Sequence, residues 1–200
     1  SDAMVSLLDI VPTVLDWFGL DYPTYKLLGP NPVQLTGKSV LPVLKEEPQS
    51  GWDTVFASHN LHEVTMYYPM RVIRNTTFKL IHNLNYKMPF PIDQDFFVSP
   101  TYQDLLNRTE EGKPTRWFRT LDQYYYRPQW ELYDLKNDPE ELTNLYGKPA
   151  YQDVIMELHG KLNAWQNKTD DPWICAPRGV LENRGRYPIT GVCLSMDNGT

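Results

Sequence analysis

Apolar positions near the start of the chain fall at helical spacing: Val11, Leu15 and Phe18 stand four and three residues apart, which places them on one face of a helix. Asp9 fits the N-cap, Pro12 is tolerated in the first turn, and Gly19 marks the stop. The pattern predicts a buried helix, preceded at residues 5–8 by a strand end. Residues 21–37 are rich in proline, tyrosine and glycine and read as a surface connection, after which Ser39 is placed to cap a short helix over 40–45. Residues 46–51 read as a boundary.

Beyond it the period changes. Strand-like runs occur at 54–58, 70–74, 78–82 and 130–135, separated by polar or Asn-Thr-Thr segments suited to turns. A helix over 151–165 places Val154, Leu158, Leu162 and Trp165 on one face, with Asp153, Glu157 and Lys161 away from it. Gly160 weakens that helix by about 1 kcal/mol, so packing has to hold it, and it is predicted to cover the sheet. The stretch from Asn83 to Gln129, with KMPFPIDQDFFVSPTYQDLL and the run Tyr124, Tyr125, Tyr126, is too long for a plain connection and is expected to carry function or structure of its own. The fold class is α+β in this portion.

Composition narrows the choices. With 41% hydrophobic and 13% aromatic residues in 200, a core is available for one compact domain or slightly more, and a disordered tail is excluded. A net charge of -6 without any basic block excludes the electrostatic footprint of a nucleic-acid binder or a polybasic membrane surface. No apolar run approaches the roughly 20 residues that cross a bilayer, and no leader precedes Val5. Four N-x-[ST] sequons, at Asn75, Asn107, Asn167 and Asn198, nevertheless point to the secretory route. An exported chain of this kind is expected to be an internal or C-terminal piece. Asn107 is the best glycan site, in a polar segment, and Asn198 the weakest, at the extreme end. Cys175 and Cys193 are read as a disulfide, worth around 3 kcal/mol by loop closure, rather than as reactive thiols, because an even count in an exported chain favours pairing.

Several segments together resemble one family. VSLLDIVPTVLDWFGL, LTGKSVLPVL, PMRVIRNTTFKLIHNLN and WELYDLKNDPEELTNL, in that order, are similar to the C-terminal third of sulfatases of the alkaline phosphatase superfamily. HEVTMYYPMR, HNLNYKMPFPIDQDFFVSPTYQDLLNRT and DPWICAP resemble the heparan N-sulfatases within it. The resemblance implies an α/β enzyme of two domains, with residues 1–50 as the last strand-helix unit of the catalytic domain. Residues 51–200 would then be a C-terminal domain with a four-stranded antiparallel sheet, a covering helix and an insertion at about 83–129. It further implies a lysosomal hydrolase that removes the N-sulfate of terminal glucosamine in heparan sulfate, using calcium and a formylglycine made from the cysteine of a C-x-P-x-R motif. Both would lie upstream of this chain, which alone is expected to be inactive, with no catalytic residue and no metal ligand of its own. The implied partners are a heparan sulfate oligosaccharide, the chain's own N-terminal catalytic domain and a second copy in a homodimer. An O-sulfatase relative, and a non-catalytic structural or carbohydrate-contact module, remain as alternatives.

Against that background some residues stand out. Cys175-Ala176-Pro177-Arg178 mimics the modification motif, but its arginine comes one residue too early. His59 and His62 have the spacing of a metal pair without a convincing third ligand. Residues 58–63 are expected to leave the first strand toward the domain interface, where His62, Glu63 and Arg71 are candidates for binding substrate. Glu63 and Arg71 equally read as a buried structural ion pair. Arg74, Lys79 and His82 are expected on a solvated face, and Tyr124–Tyr126 either pack in a core or dimer contact or form a sugar platform.

Overall fold

The computed structural model describes residues 1–22, 25, 32–48, 50–62, 66–182 and 192–196. Its centre is an antiparallel sheet of β1 (Thr54–Leu61), β2 (Tyr67–Asn75), β3 (Phe78–Asn83) and β4 (Trp130–Asp134), ordered as in the sequence. The β2–β3 turn is closed by Asn75, whose side-chain oxygen accepts from the amides of Thr77 and Phe78 at 2.8 and 2.6 Å.

Register decides which residues meet. Phe56, Ile73, Leu80 and Leu132 pair laterally in one row, and because strand side chains alternate they all face one side. There they meet the helix Gln152–Lys168, which buries Ile155, Leu158, Leu162 and Gln166. The sequence pattern placed Val154 and Trp165 on this stripe; the stripe is rotated so that Ile155 and Gln166 are its buried members. Trp165 borders it, stacked on Phe56 with ring centroids 5.1 Å apart.

The polar residues of WELYDLKNDPEELTNL have local structural tasks. Asp134 accepts from the amides of Lys136 and Asn137, and Asp138 from those of Leu142 and Thr143. Asn144 runs beside the outer edge of β4, accepting from Leu132 N at 2.9 Å and donating to Trp130 O at 3.0 Å. Edge hydrogen-bonding groups that would otherwise invite another strand are thereby occupied.

The insertion carries structure of its own. Three short helices, α3 (Gln94–Phe97), α4 (Pro100–Glu110) and α5 (Leu121–Tyr125), lie between β3 and β4, the last two capped by Ser99 and Thr120. Its Arg119 donates to the hydroxyl of Tyr133, which in turn donates to Glu131, while Asn83 donates to Glu131 at 2.7 Å. Glu131 and Tyr133 alternate with Leu132, so this network lies on the face of the sheet opposite the covering helix, and the sheet is enclosed on both sides. In chain order the remaining elements are α1 (Ile10–Phe18) and α2 (Leu41–Lys45) before the sheet, the covering helix as α6, and a hairpin of β5 (Gly179–Glu182) and β6 (Val192–Ser195) after it.

The N-terminal stretch departs from expectation in several places. Residues Leu7–Asp9 form a 3-10 turn capped by Ser6, where a strand end was expected. Asp9 precedes α1, but its carboxylate accepts from Ser6 N and Lys38 N instead of capping the helix. Gly37 is packed so tightly that an added Cβ would lie 2.1 Å from the Leu8 carbonyl oxygen, which makes LTGKS a docking strip for the start of α1. Ser39 accepts from Leu41 N one residue before the α2 cap position. The stripe predicted to be buried is not: Val11 is 50% and Phe18 69% exposed, because nothing among the described residues packs on that side of α1. Gly19 does stop the helix, at φ +63°.

The core predicts an asymmetric response along α6. Leu158→Ala, at a position 1% exposed, is expected to lower the unfolding free energy by about 2–5 kcal/mol. Met156→Ala, on the exposed side, should change it by less than about 0.5 kcal/mol, as read by urea denaturation.

Candidate functional site

Arg71 sits within β2, opposite Ser58 on one side and His82 on the other, and only 2% of its surface is exposed. Its Nε and Nη2 donate to the two carboxylate oxygens of Asp171, each at 2.7 Å. Nη1 donates to Asn60 Oδ1 at 2.9 Å and to the carbonyls of Met70 and His59 at 2.8 and 3.3 Å. A guanidinium fork on a carboxylate is the strongest geometry available to such a pair. Asp171 also accepts from Gln166 Nε2 at 2.8 Å and Trp173 N at 3.1 Å. Burial pushes its carboxyl up, but these donors outweigh burial and hold it below its ordinary value. Arg71 is thus committed to the protein interior as a joint between sheet, helix and terminal segment, and its geometry is not that of a residue waiting for an anion.

His62 is placed differently. It lies just past the end of β1 with its side chain 64% exposed, and its Nε2 is 3.3 Å from the Asp93 carboxylate, the residue that caps α3. Glu63 lies outside the described residues. His59 turns its Nδ1 to the Tyr68 carbonyl at 3.0 Å, so the histidine pair is split between two tasks. No group of three His, Cys, Asp or Glu side chains among the described residues converges to hold a metal.

His82 was expected on a solvated face with Arg74 and Lys79. Instead the faces divide: Arg74 and Lys79 are lateral partners, whereas His82, an odd number of residues from Lys79, points to the opposite side. Lys79 binds the Glu141 carboxylate at 2.6 and 2.8 Å. His82 is 8% exposed and stacks on Trp130 at 3.6 Å between centroids, and Trp130 stacks in turn on His159 at 4.0 Å. Burial first, then the fields of His159 and Arg71, push the His82 imidazole down to about 3. Burial also lowers His159.

Tyr124 and Tyr125 pack within the insertion, whereas Tyr126 is exposed. Tyr124 meets Phe90 and Trp117 at 5.7 and 5.3 Å, and Tyr125 shares a hydrogen bond with the buried Tyr102. Among the sequons, Asn107 is exposed on α4 and Asn167 is exposed on α6, while Asn75 is engaged in its turn. Asn198 lies outside the described residues. Cys175 and Cys193 form a disulfide with their Cα atoms 5.4 Å apart, so the sulfur of the C-A-P-R segment is not a free thiol. Asp171, Gln166, Trp173 and His159 were missed from the sequence; only the helical spacing of Gln166 four residues after Leu162 gave a usable signal.

Comparison with known proteins agrees with the family resemblance. Residues 103–168 match the family model described as N-sulphoglucosamine sulphohydrolase, C-terminal. The chain is 55% identical over 184 residues to N-sulphoglucosamine sulphohydrolase of Homo sapiens, covering 92% of this chain and 36% of that protein. It is 36% identical over 108 residues to an ulvan-active sulfatase of Formosa agariphila, covering 51% of this chain and 17% of the relative. Among solved structures, BT4656 in complex with its substrate D-glucosamine-2-N,6-O-disulfate aligns with a TM-score of 0.50 at 25% identity, over 82% of this chain and 24% of that one. BT1596, a 2-O GAG sulfatase, shares the fold at a TM-score of 0.54 and 21% identity, over 86% of this chain and 27% of its own. The chain therefore spans about a third or less of the length of the relatives it matches.

Two consequences of this geometry are measurable. Arg71→Ala leaves Asp171 buried without its cation and is expected to destabilise the folded protein by about 3–5 kcal/mol in a denaturant titration. His82 binds its proton less readily folded than unfolded, so the unfolded state takes up more protons between pH 6.5 and about 3, and stability must fall as pH falls through that window. His82→Phe, which keeps a ring against Trp130, should lose less melting temperature than the parent between pH 7 and 4.5. Parallel curves would remove His82 from the account. The lowered Asp171 adds to the loss at the acid end of that window, as pH falls from its ordinary value of 3.8 through its lower folded value.

Proposed function

We propose that this chain is the C-terminal part of a lysosomal sulfamidase that hydrolyses the N-sulfate of terminal glucosamine in heparan sulfate. The observation that carries this reading is the 55% identity to the human N-sulphoglucosamine sulphohydrolase over 92% of the chain. The secretory sequons and the disulfide fit an oxidising, exported environment, and a lysosomal site adds acidity. At such pH the depressed His82 remains neutral, so the stack under Trp130 keeps its uncharged form.

Residues 1–50 are proposed as the last unit of the catalytic domain and 51–200 as the C-terminal domain. The exposed stripe of α1, with Val11, Val14, Trp17 and Phe18 each at least half exposed, suits an element whose partner sheet belongs to the upstream part of the protein. A homodimer is part of the same reading. In it, His62 stands at the pocket edge, where it faces solvent beside Asp93, Arg71 acts from beneath by holding the strand that leads to it, and Glu63 is carried as a substrate-binding candidate from the sequence alone.

In the whole enzyme, calcium would supply charge neutralisation and formylglycine a nucleophile. The described residues of this chain do not fit either group: Cys175 is bonded to Cys193, and no cluster of ligating side chains is present among them. No step is assigned to this chain beyond shaping the wall of the pocket and stabilising the domain that carries the chemistry.

The test is an assay of sulfate release from N-sulfoglucosamine at acidic pH, with the full-length protein and with residues 1–200 alone. The full-length protein is expected to turn over and the 200-residue chain to show none. Turnover by the chain alone would overturn the assignment of roles, and a full-length protein inactive on N-sulfates but active on O-sulfated sugars would overturn the substrate.

A further inference from the structure

A cleft of about 680 Å3 opens between the β2–β3 side of the sheet and the terminal hairpin, and His62 and Arg71 are not among its lining residues. Its size is within the range of about 300–1,000 Å3 found for small-molecule sites. Two aromatic rings stand at its wall in fixed orientation: Trp173 Nε1 donates to the Tyr67 hydroxyl at 2.7 Å, with ring centroids 6.4 Å apart. Trp173 is itself held from behind, by Asp171 accepting its amide and by the Arg71 guanidinium 5.3 Å from its ring. Among the described residues, the charged groups that line the cleft are Lys87 and Arg178, with no carboxylate. Both cations are exposed, and neither forms a salt bridge among the described residues. In a chain of net charge -6 the cleft thus sets two cations without a salt bridge beside two aromatic rings.

Flat aromatic faces receive the C–H surface of a sugar ring, and exposed cations receive its sulfate or carboxylate. We propose that this cleft binds an anionic sugar of the substrate oligosaccharide, beyond the terminal residue that loses its N-sulfate, with the ring against Trp173 and Tyr67 and its acidic group on Lys87 and Arg178. The identity of the oligosaccharide rests on the sulfamidase reading; the presence of an anionic-sugar subsite rests on the cleft alone. The site explains how a chain without a basic surface can hold a polyanion: two cations suffice when the rest of the recognition is stacking. Arg71 is then a positioning residue for Trp173, and its loss would reach the subsite through that ring.

The experiment compares the full-length protein with its Lys87→Ala/Arg178→Ala and Trp173→Leu variants, on N-sulfoglucosamine and on a heparin-derived tetrasaccharide that ends in the same sugar. The proposal expects KM for the tetrasaccharide to rise about tenfold in each variant, equivalent to 1.4 kcal/mol, with kcat and the monosaccharide kinetics unchanged. The charge variant should also lose most of the salt dependence of tetrasaccharide KM. Unchanged KM on the tetrasaccharide, or equal losses on both substrates, would overturn the subsite. Should the parent protein cleave neither compound, the sulfamidase reading fails by itself. Calorimetric titration of the tetrasaccharide then decides the cleft: tenfold weaker binding in the variants supports it, and equal binding overturns it.

Discussion

The buried pair of Arg71 and Asp171 joins three parts of the molecule that are otherwise remote in sequence. Arg71 belongs to the second strand, Asp171 to the turn after the covering helix, and Gln166, which shares the carboxylate, to the helix itself. Removing two such charges from water is costly, and the cost is met here by a bidentate fork and by hydrogen bonds on both partners. The consequence is positional. With Asp171 fixed, Trp173 and the disulfide-bonded segment that follows must lie along the end of the sheet, and the cleft beside them inherits its shape.

The same row of the sheet carries Arg71, His82 and Trp130 side by side, so a cation, an imidazole and an indole are packed under one helix. A charged His82 next to Arg71 would set two cations against each other in a poorly hydrated space. Burial is the main reason the His82 pKa is depressed, with His159 and then Arg71 adding to it. Stability and site are linked through this row, since the group that titrates, the group that pairs and the group that stacks are immediate neighbours.

Much of the architecture was legible from the sequence because it depends on period. Alternation fixed the strands, and the spacing of Leu158 and Leu162 fixed the covering helix to within one position of its true face. Gly19 and the length of the insertion were equally readable. What escaped the sequence depends on long-range geometry. Nothing local distinguishes Asp171 from any other acidic residue after a helix, yet it is the partner of a residue a hundred positions earlier. Grouping His82 with Arg74 and Lys79 failed because nearness in sequence was taken for nearness in space across a strand that turns alternate residues to opposite faces. The exposed stripe of α1 shows the converse limit: the pattern identified an apolar face, but no described residue packs on it.

The role of the Arg71–Asp171 joint is most directly tested by hydrogen–deuterium exchange on Asp171→Asn, which keeps the shape of the side chain and removes its charge. The account predicts faster exchange at the amides of residues 171–178, including Trp173 and Ala176, whose amides donate to Asp171 and to the Trp173 carbonyl, while the amides of Ile73, Leu80 and Leu132 keep their protection. Exchange unchanged at 171–178, or accelerated equally throughout the sheet, would contradict it.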